Sequence, residues 1–294
     1  MLPFTKVQGL GNDFLVVDLR AREGSPEAAA AQEPALVRRI CDRHFGVGAD
    51  GILAVLPGLA GEARMRVLNA DGSEAEMCGN GIRCVAKVLY ETDPALRRPV
   101  LKIDTGAGLL TCELNVTDGH VDSVTVEMGR PRFSRDEIPL APGGMTRALR
   151  ESITALDHTF QFTAVSMGNP HSVIFVDGGE DLRALAEAYG PVLEAASAFP
   201  RRANIEFARV RGAEIDLVVW ERGCGITLAC GTGACATAVA AALEERLPRG
   251  RETAVHLPGG TLGVTVAADD SGVRMRGPAK IVFRAELDLA ALGA

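Results

Sequence analysis

The chain has 294 residues, enough for two domains, and its 47% hydrophobic and 23% charged residues are the balance of an ordinary globular protein. A net charge of −7 without a dense basic run argues against a nucleic-acid partner. No stretch approaches the ~18 apolar residues of a membrane span, the N-terminus lacks a signal-peptide pattern, and seven cysteines in that setting point to reduced thiols in a cytoplasm.

In chain order, GNDF at 11–14 is followed by a stretch, 22–34, whose glycine, proline and alanine content reads as a loop. ARMRVLNADG at 63–72 alternates apolar and polar residues as a strand does, and leads to CGNGIRC at 78–84. VAKVLYE at 85–91 is an apolar run of helical length, and TGAGLLTCELNV at 105–116 is a turn followed by an alternating strand. MGRP at 128–131 closes this series, and 141–147 reads as another loop.

The series then repeats. GNPH at 168–171 matches GNDF, AEIDLVVWERG at 213–223 matches the alternating strand, and CGTGAC at 230–235 matches CGNGIRC. ATAVAAALEERL at 236–247 is again an apolar helix, PGGTLGVTVAAD at 258–269 a turn and strand, and MRGP at 275–278 the closing motif. The matched landmarks keep one order, with offsets of 157 residues for the GN motifs and 152 for the leading cysteines. Two α/β domains are therefore expected, each a curved sheet around one central apolar helix. Their spans are 1–128 and 129–279, with KIVFRAEL at 280–287 crossing back so that 280–294 completes the first.

Cys78 and Cys230 each precede Gly-X-Gly and an apolar helix, so each is expected at a helix N-terminus. There the first backbone N–H groups lack intrahelical partners and the helix dipole is positive. Such a place binds a carboxylate and lowers a thiol's pKa. Two of these sites around one carboxylate would form an acid/base pair able to remove an α-proton from one face and return it on the other, with the same N–H groups stabilising the carbanion. That chemistry requires no cofactor and no metal. The remaining cysteines read differently: Cys41, Cys112 and Cys224 as small core residues, Cys84 and Cys235 as packing within the helices. A zinc site lacks the paired cysteine spacing, and CGxG matches neither common phosphate loop.

Six dispersed segments, FTKVQGLGNDFLVVD, DRHFGVGADG, NADGSEAEMCGNGIRC, SMGNPHSVIF, RRANIEF and WERGCGITLACGTGACA, resemble diaminopimelate epimerases, in order and nearly end to end. The resemblance implies two pseudo-symmetric α/β (α+β) domains, each a curved, mainly antiparallel sheet or barrel around its helix. It implies a cofactor-free, homodimeric cytoplasmic isomerase with a small amino-acid substrate. Cys78 and Cys230 would be the acid/base residues. Gly79, Asn80, Gly231 and Thr232 would hold the reacting carboxylate, and Asn12 would sit near the reacting amino group. Asn69, Asn169, Asn204, Glu221 and Arg222 would hold the distal zwitterion, while His171 and Glu221 would support the cysteines.

Taken singly, these residues admit plainer readings. Asn12 and Asn169 could serve glycine-asparagine turns, Asn69 a hairpin turn, His171 a structural hydrogen bond, and Glu221 with Arg222 a surface ion pair. The chain also departs from the family pattern. Gly51 stands where many members have a glutamine that contacts the reacting amino group, Ile226 where a glutamate is frequent, and Trp220 where tyrosine is common. The rival readings are a cofactor-free racemase of proline or histidine, and a thiol redox or metal-binding protein. Proline has no distal charge for Glu221 and Arg222 to meet. A pyridoxal-phosphate enzyme is disfavoured because none of the four lysines, Lys6, Lys87, Lys102 and Lys280, has a recognisable Schiff-base setting.

Overall fold

The alternating and apolar segments form two units in the computed structural model, which describes residues 1–292. The first unit is Met1–Val126 with the chain from Gly277 onward; the second is Glu127–Arg276.

In the first unit the strands are Leu2–Gly9 (β1), Asn12–Asp18 (β2), Gly51–Pro57 (β3), Ala63–Asn69 (β4), Glu74–Ala75 (β5), Val100–Thr105 (β6), Gly108–Thr117 (β7) and His120–Glu127 (β8). The helices are Pro26–Ala30 (α1), Pro34–Cys41 (α2) and Gly79–Thr92 (α3). The C-terminal strand Lys280–Leu287 lies antiparallel to β1. From that strand the order runs β1, β2, β3, β4, β6, β7, β8, with β2–β3 and β4–β6 parallel and every other step antiparallel.

The second unit repeats this. Its strands are Glu151–Ala155 (β9), His158–Ser166 (β10), Pro170–Phe175 (β11), Asn204–Arg211 (β12), Glu214–Glu221 (β13), Gly225–Ile226 (β14), Glu252–Leu257 (β15), Gly260–Val266 (β16) and Val273–Pro278 (β17). Its helices are Leu182–Glu194 (α4) and Gly231–Leu243 (α5). The order β9, β10, β11, β12, β13, β15, β16, β17 has β11–β12 and β13–β15 parallel and the rest antiparallel, the same series of directions. The fold class expected from the sequence is the one observed.

Each sheet wraps its central helix. Helix α3 packs against β1, β2, β3, β4, β6, β7 and the C-terminal strand, and α5 against β10, β11, β12, β13, β15 and β16. Residues Gly79–Ala86 of α3 and Ala234–Ala242 of α5 are buried without a break, as expected of helices without a solvent face. The outer face of each sheet is covered too. Val37, Ile40 and Cys41 of α2 share a core with Leu15, Val17, Ile52 and Ala54, and Leu182, Ala186 and Leu193 of α4 share one with Phe160, Phe162 and Phe207. Strand β3 is accordingly a continuous buried run, the pattern of a strand covered on both faces.

Three local expectations are corrected. Residues 22–34 contain α1, because the Ser25 hydroxyl caps the Ala28 N–H and Pro26 supplies a preset first turn. Helix α5 stops at Leu243, short of the apolar run's end at 247, where Glu245 takes φ 58. Cys224 is exposed rather than in a core, since it belongs to the turn between β13 and β14, its N–H donating to the Glu221 carbonyl at 3.0 Å.

Candidate active site

Each unit carries its cysteine as the N-cap of the central helix. Cys78 has extended φ and ψ of −137 and 113, and its Sγ accepts from the Gly81 N–H at 3.3 Å. Cys230 has φ −116 and ψ 108, and its Sγ accepts from the Gly233 N–H at 3.4 Å. Gly79 and Asn80, and Gly231 and Thr232, are the first two residues of their helices, positions whose N–H groups have no intrahelical acceptor. A sulfur so placed stands at the positive end of the helix dipole, beside a cradle for a carboxylate. None of the seven cysteines is in a disulfide.

In the first unit, Asn12 is brought to the mouth of α3. The turn before it is made by Leu10 and Gly11 at φ 56 and 85, so the asparagine itself is not the left-handed residue. Its Oδ1 lies 3.9 Å from Cys78 Sγ and accepts from Asn80 Nδ2 at 3.3 Å, while its Nδ2 donates to Asp50 at 2.6 Å. Asp50 also takes the Asp13 N–H at 3.0 Å and Arg43 at 2.7 Å. Asn69 serves a turn: its Nδ2 donates to Ser73 Oγ at 3.0 Å, and its N–H to the Ser73 carbonyl at 2.8 Å. Gly51 pairs with Asn69, and a Cβ there would come 2.5 Å from the Leu68 carbonyl oxygen. This backbone leaves no room for a side chain at that position.

The second unit assembles a longer chain of contacts. Gly168, at φ 100, makes the turn that precedes Asn169. Cys230 Sγ lies 3.5 Å from Thr232 Oγ1, which accepts from Asn169 Nδ2 at 3.3 Å. Asn169 Oδ1 lies 2.8 Å from His171 Nε2, and His171 Nδ1 lies 2.7 Å from Glu206 Oε1. Because Asn169 gives its amide hydrogen to Thr232, it offers its oxygen to a protonated His171 Nε2, and the Thr232 hydroxyl keeps its own hydrogen for the Cys230 sulfur. Gly233 makes space here: a Cβ on it would lie 3.1 Å from Glu206 Oε1 and 3.2 Å from Cys230 Sγ.

Glu221 and Arg222 come off the end of β13. Asn204 holds that end: its Oδ1 accepts from the Arg222 N–H at 2.9 Å and its Nδ2 donates to the Pro170 carbonyl at 3.0 Å. The Arg222 guanidinium is exposed and donates to the Arg201 carbonyl at 3.2 Å. The turn beyond is braced by Glu194, which accepts from Trp220 Nε1 at 2.8 Å and the Gly223 N–H at 3.0 Å.

The electrostatics of this half follow from burial. Burial pushes the Cys230 thiol well above its ordinary value, and the Glu221 and Glu206 carboxyls push the same way; the Thr232 hydroxyl and Gly233 N–H oppose them. Burial also raises Glu206, against the His171 partner that lowers it, and raises Glu221. By contrast, Cys84 inside α3 is pushed up to about 12 by burial, and Cys41 to about 11, as inert packing thiols should be.

Asp50, Glu194 and Glu206 were not singled out from the sequence. Asp50 is preceded by a glycine-rich turn and reads as loop. Glu206 sits in NIEFA, where one acid among apolar residues reads as a solvent-facing strand position, and Glu194 ends a helix. A hollow of about 410 Å³ lined by Ala242, Arg246 and Arg249 lies at the far end of α5 from Cys230 and contains no candidate residue.

The chain is similar to known proteins over nearly its whole length. The sequence profile of the diaminopimelate epimerase family matches residues 4–134 and 163–282. The diaminopimelate epimerase of Pelotomaculum thermopropionicum is 47% identical over 96% of this chain and 98% of its own, and that of Desulfitobacterium hafniense 46% identical over 97% and 98%. Among solved structures, a hydroxyproline epimerase from Agrobacterium vitis superposes with a TM-score of 0.68 at 19% identity, over 97% of this chain and 90% of its own, which is a likeness of fold.

Proposed function

The chain belongs to the diaminopimelate epimerase family, and on that premise we propose that it interconverts LL- and meso-diaminopimelate with Cys78 and Cys230 as its two acid/base groups. It is an isomerase, and its reaction lies in lysine biosynthesis. The observation that carries the residue assignment is the paired placement of the cysteines, each the N-cap of a buried central helix with its sulfur accepting a helix-start N–H.

Inverting an α-carbon needs a base on one face and an acid on the other. A thiolate at one N-cap takes the α-proton, and a thiol at the other delivers its own to the carbanion. The roles exchange in the reverse reaction, so the two titrations are coupled. The reacting carboxylate is held by the N–H groups of Gly79, Asn80, Gly231 and Thr232, where helix-start dipoles meet the charge that develops as the proton leaves. Asn12 Oδ1 is available to the α-ammonium. The distal ammonium and carboxylate are met by Asn69, Asn169, Asn204, Glu221 and Arg222, the guanidinium forking onto the carboxylate. His171 and Glu221 support Cys230, and Asn204 also acts by holding the Arg222 backbone.

We further propose a homodimer in the cytoplasm, checked by light scattering of the purified protein and by fractionation of the source cells. The deciding experiment for the function is proton NMR of the reduced protein with LL-diaminopimelate in D₂O and nothing added. Formation of the meso isomer with deuterium at one α-carbon is expected. Exchange with another amino acid alone would change the substrate, and exchange with none would remove the function.

A further inference from the structure

Among the described residues Arg83 is the largest fully buried side chain, with no exposed surface, on a helix wrapped by its sheet. Taking a guanidinium out of water is costly unless oxygens meet its donors, and an apolar side chain of similar volume fills a core more cheaply. Its donors are met at the start of α3: Nη1 donates to the Gly79 carbonyl at 2.9 Å, Nη2 to Asn80 Oδ1 at 3.0 Å, and Nε to the Pro278 carbonyl at 3.3 Å. Gly9 makes way for it, since a Cβ there would lie 3.3 Å from Nη2 and 3.5 Å from the Asn80 Cβ. Five residues after the other N-cap cysteine the second unit has Cys235, so its architecture does without an arginine at this place.

Guanidinium only donates, and carboxylate only accepts. Between Arg83 and Asp50 stand two side-chain amides, Asn80 and Asn12, joined Nδ2 to Oδ1 at 3.3 Å. With a pure donor at one end and a pure acceptor at the other, a single orientation satisfies the row. Asn80 turns its oxygen to Arg83 and its nitrogen to Asn12; Asn12 turns its nitrogen to Asp50 and its oxygen toward Cys78 Sγ, 3.9 Å away.

We propose that Arg83 is a positioning residue for the epimerisation: through Asn80 it fixes the Asn12 amide so that a carbonyl oxygen, not an N–H, faces Cys78 and the substrate's α-ammonium. This rests on the assignment of Cys78 and Asn12 under Proposed function. Without Arg83, Asn80 can invert and turn its oxygen toward Asn12, and Asp50 alone then opposes the inversion of Asn12 that would present the ammonium with an N–H.

The test is a double-mutant cycle on the full-length protein with Arg83→Met and Asn80→Ala, the latter keeping the backbone N–H. Each single variant is expected to lose roughly tenfold to a hundredfold in kcat/KM, and the double variant no more than the worse single, because both cut the same row. Losses that multiply, or an Arg83→Met enzyme with wild-type kcat/KM, would overturn the proposal. If Arg83→Met does not fold, Arg83→Lys replaces it: one ammonium cannot hold three oxygens, so full activity there overturns the proposal equally. A readout independent of turnover is hydrogen exchange of the Asn12 and Asn80 side-chain amides by ¹⁵N NMR. Slow exchange in the wild type and fast exchange in the arginine variant are expected, and equal exchange counts against the idea. A wild type that epimerises nothing would fail the functional reading, while the amide exchange still decides the clamp.

Discussion

His171 Nδ1 and Glu206 Oε1 lie 2.7 Å apart with neither side chain exposed, at sheet positions where the first unit holds Phe14 and Leu53. The correspondence follows from register: His171 pairs with Asn204 as Phe14 pairs with Gly51, and Glu206 and Leu53 each stand two residues further on. One unit therefore builds this part of the sheet from apolar residues, and the other buries an acid and an imidazole. The buried acid is costly, since Glu206 Oε2 has no hydrogen-bond partner and burial raises the carboxyl's pKa. Its return lies in the row of contacts running through His171, Asn169 and Thr232 to Cys230.

Glu206→Gln is expected to lower kcat at least about tenfold while leaving thermal stability at pH 8 equal to or above wild type. A carboxyl raised above its ordinary 4.5 in the fold contributes stability that is fully present below that pH and is lost as pH rises through the folded value. As pH rises through that folded value the wild type takes on a buried charge that glutamine never carries, so the stability of Glu206→Gln relative to wild type should increase with pH. Melting curves and steady-state kinetics on one preparation check both halves. A variant that melts lower and turns over normally would make Glu206 a structural acid.

Cys78→Ala and Cys230→Ala are each expected to lose nearly all epimerisation, on the order of a thousandfold or more, and to remain folded. Both thiols are helix caps, so a stability loss of about 1 kcal/mol is expected from the missing sulfur contact. Wild-type-like turnover from either folded variant, followed as α-proton exchange in D₂O, would remove that cysteine from the chemistry.

The central helices and their cysteine caps were legible because two signals coincide there: an apolar run of helical length and a Cys-Gly-X-Gly turn before it. The repeat then exposed the second copy. What escaped reading shares one physical cause. Arg83 and Glu206 are charged residues in otherwise apolar segments, and in a one-sided helix or strand such residues mark the solvent face. Here the first turns of α3 are buried without a break, and β12, like β3, is buried over consecutive residues, Asn204–Ala208, so at these places there is no solvent face and the charge is inside. Sequence periodicity cannot report that second cover. Cys224 failed in the opposite sense: a small apolar residue was assigned to a core, but the turn after Glu221 carries it outward.

The Cys230 thiol of the ligand-free protein should be slow to ionise. Burial, and the Glu221 and Glu206 carboxyls, hold it above the ordinary value of 9.0. Iodoacetamide labelling of Cys230, followed by peptide mass spectrometry, is therefore expected to keep rising with pH beyond 9. Glu221→Gln removes a negative neighbour, favours the thiolate and shifts the labelling curve to lower pH. An unchanged curve would show that the Glu221 carboxyl does not act on the sulfur.

Glu194 tests how far the distal end of the site depends on its support. Its carboxylate takes Trp220 Nε1 at 2.8 Å and the Gly223 N–H at 3.0 Å, spanning the strand end that carries Glu221 and Arg222. Arg202 reaches the same carboxylate at 3.4 Å with its own side chain 64% exposed, so that ion pair is screened and adds little. Removing the carboxylate leaves an indole N–H and a backbone N–H without their acceptor, a cost of about 1–3 kcal/mol, and frees the Glu221–Arg222 turn. Glu194→Ala should therefore raise KM for diaminopimelate by roughly tenfold with a smaller change in kcat, because the turn holds the distal zwitterion and not the reacting carbon. Arg202→Ala should leave both constants near wild type. If Glu194→Ala instead lowered kcat at unchanged KM, the turn would act on the chemistry at Cys230, and the assignment of Glu221 and Arg222 to distal binding would fail.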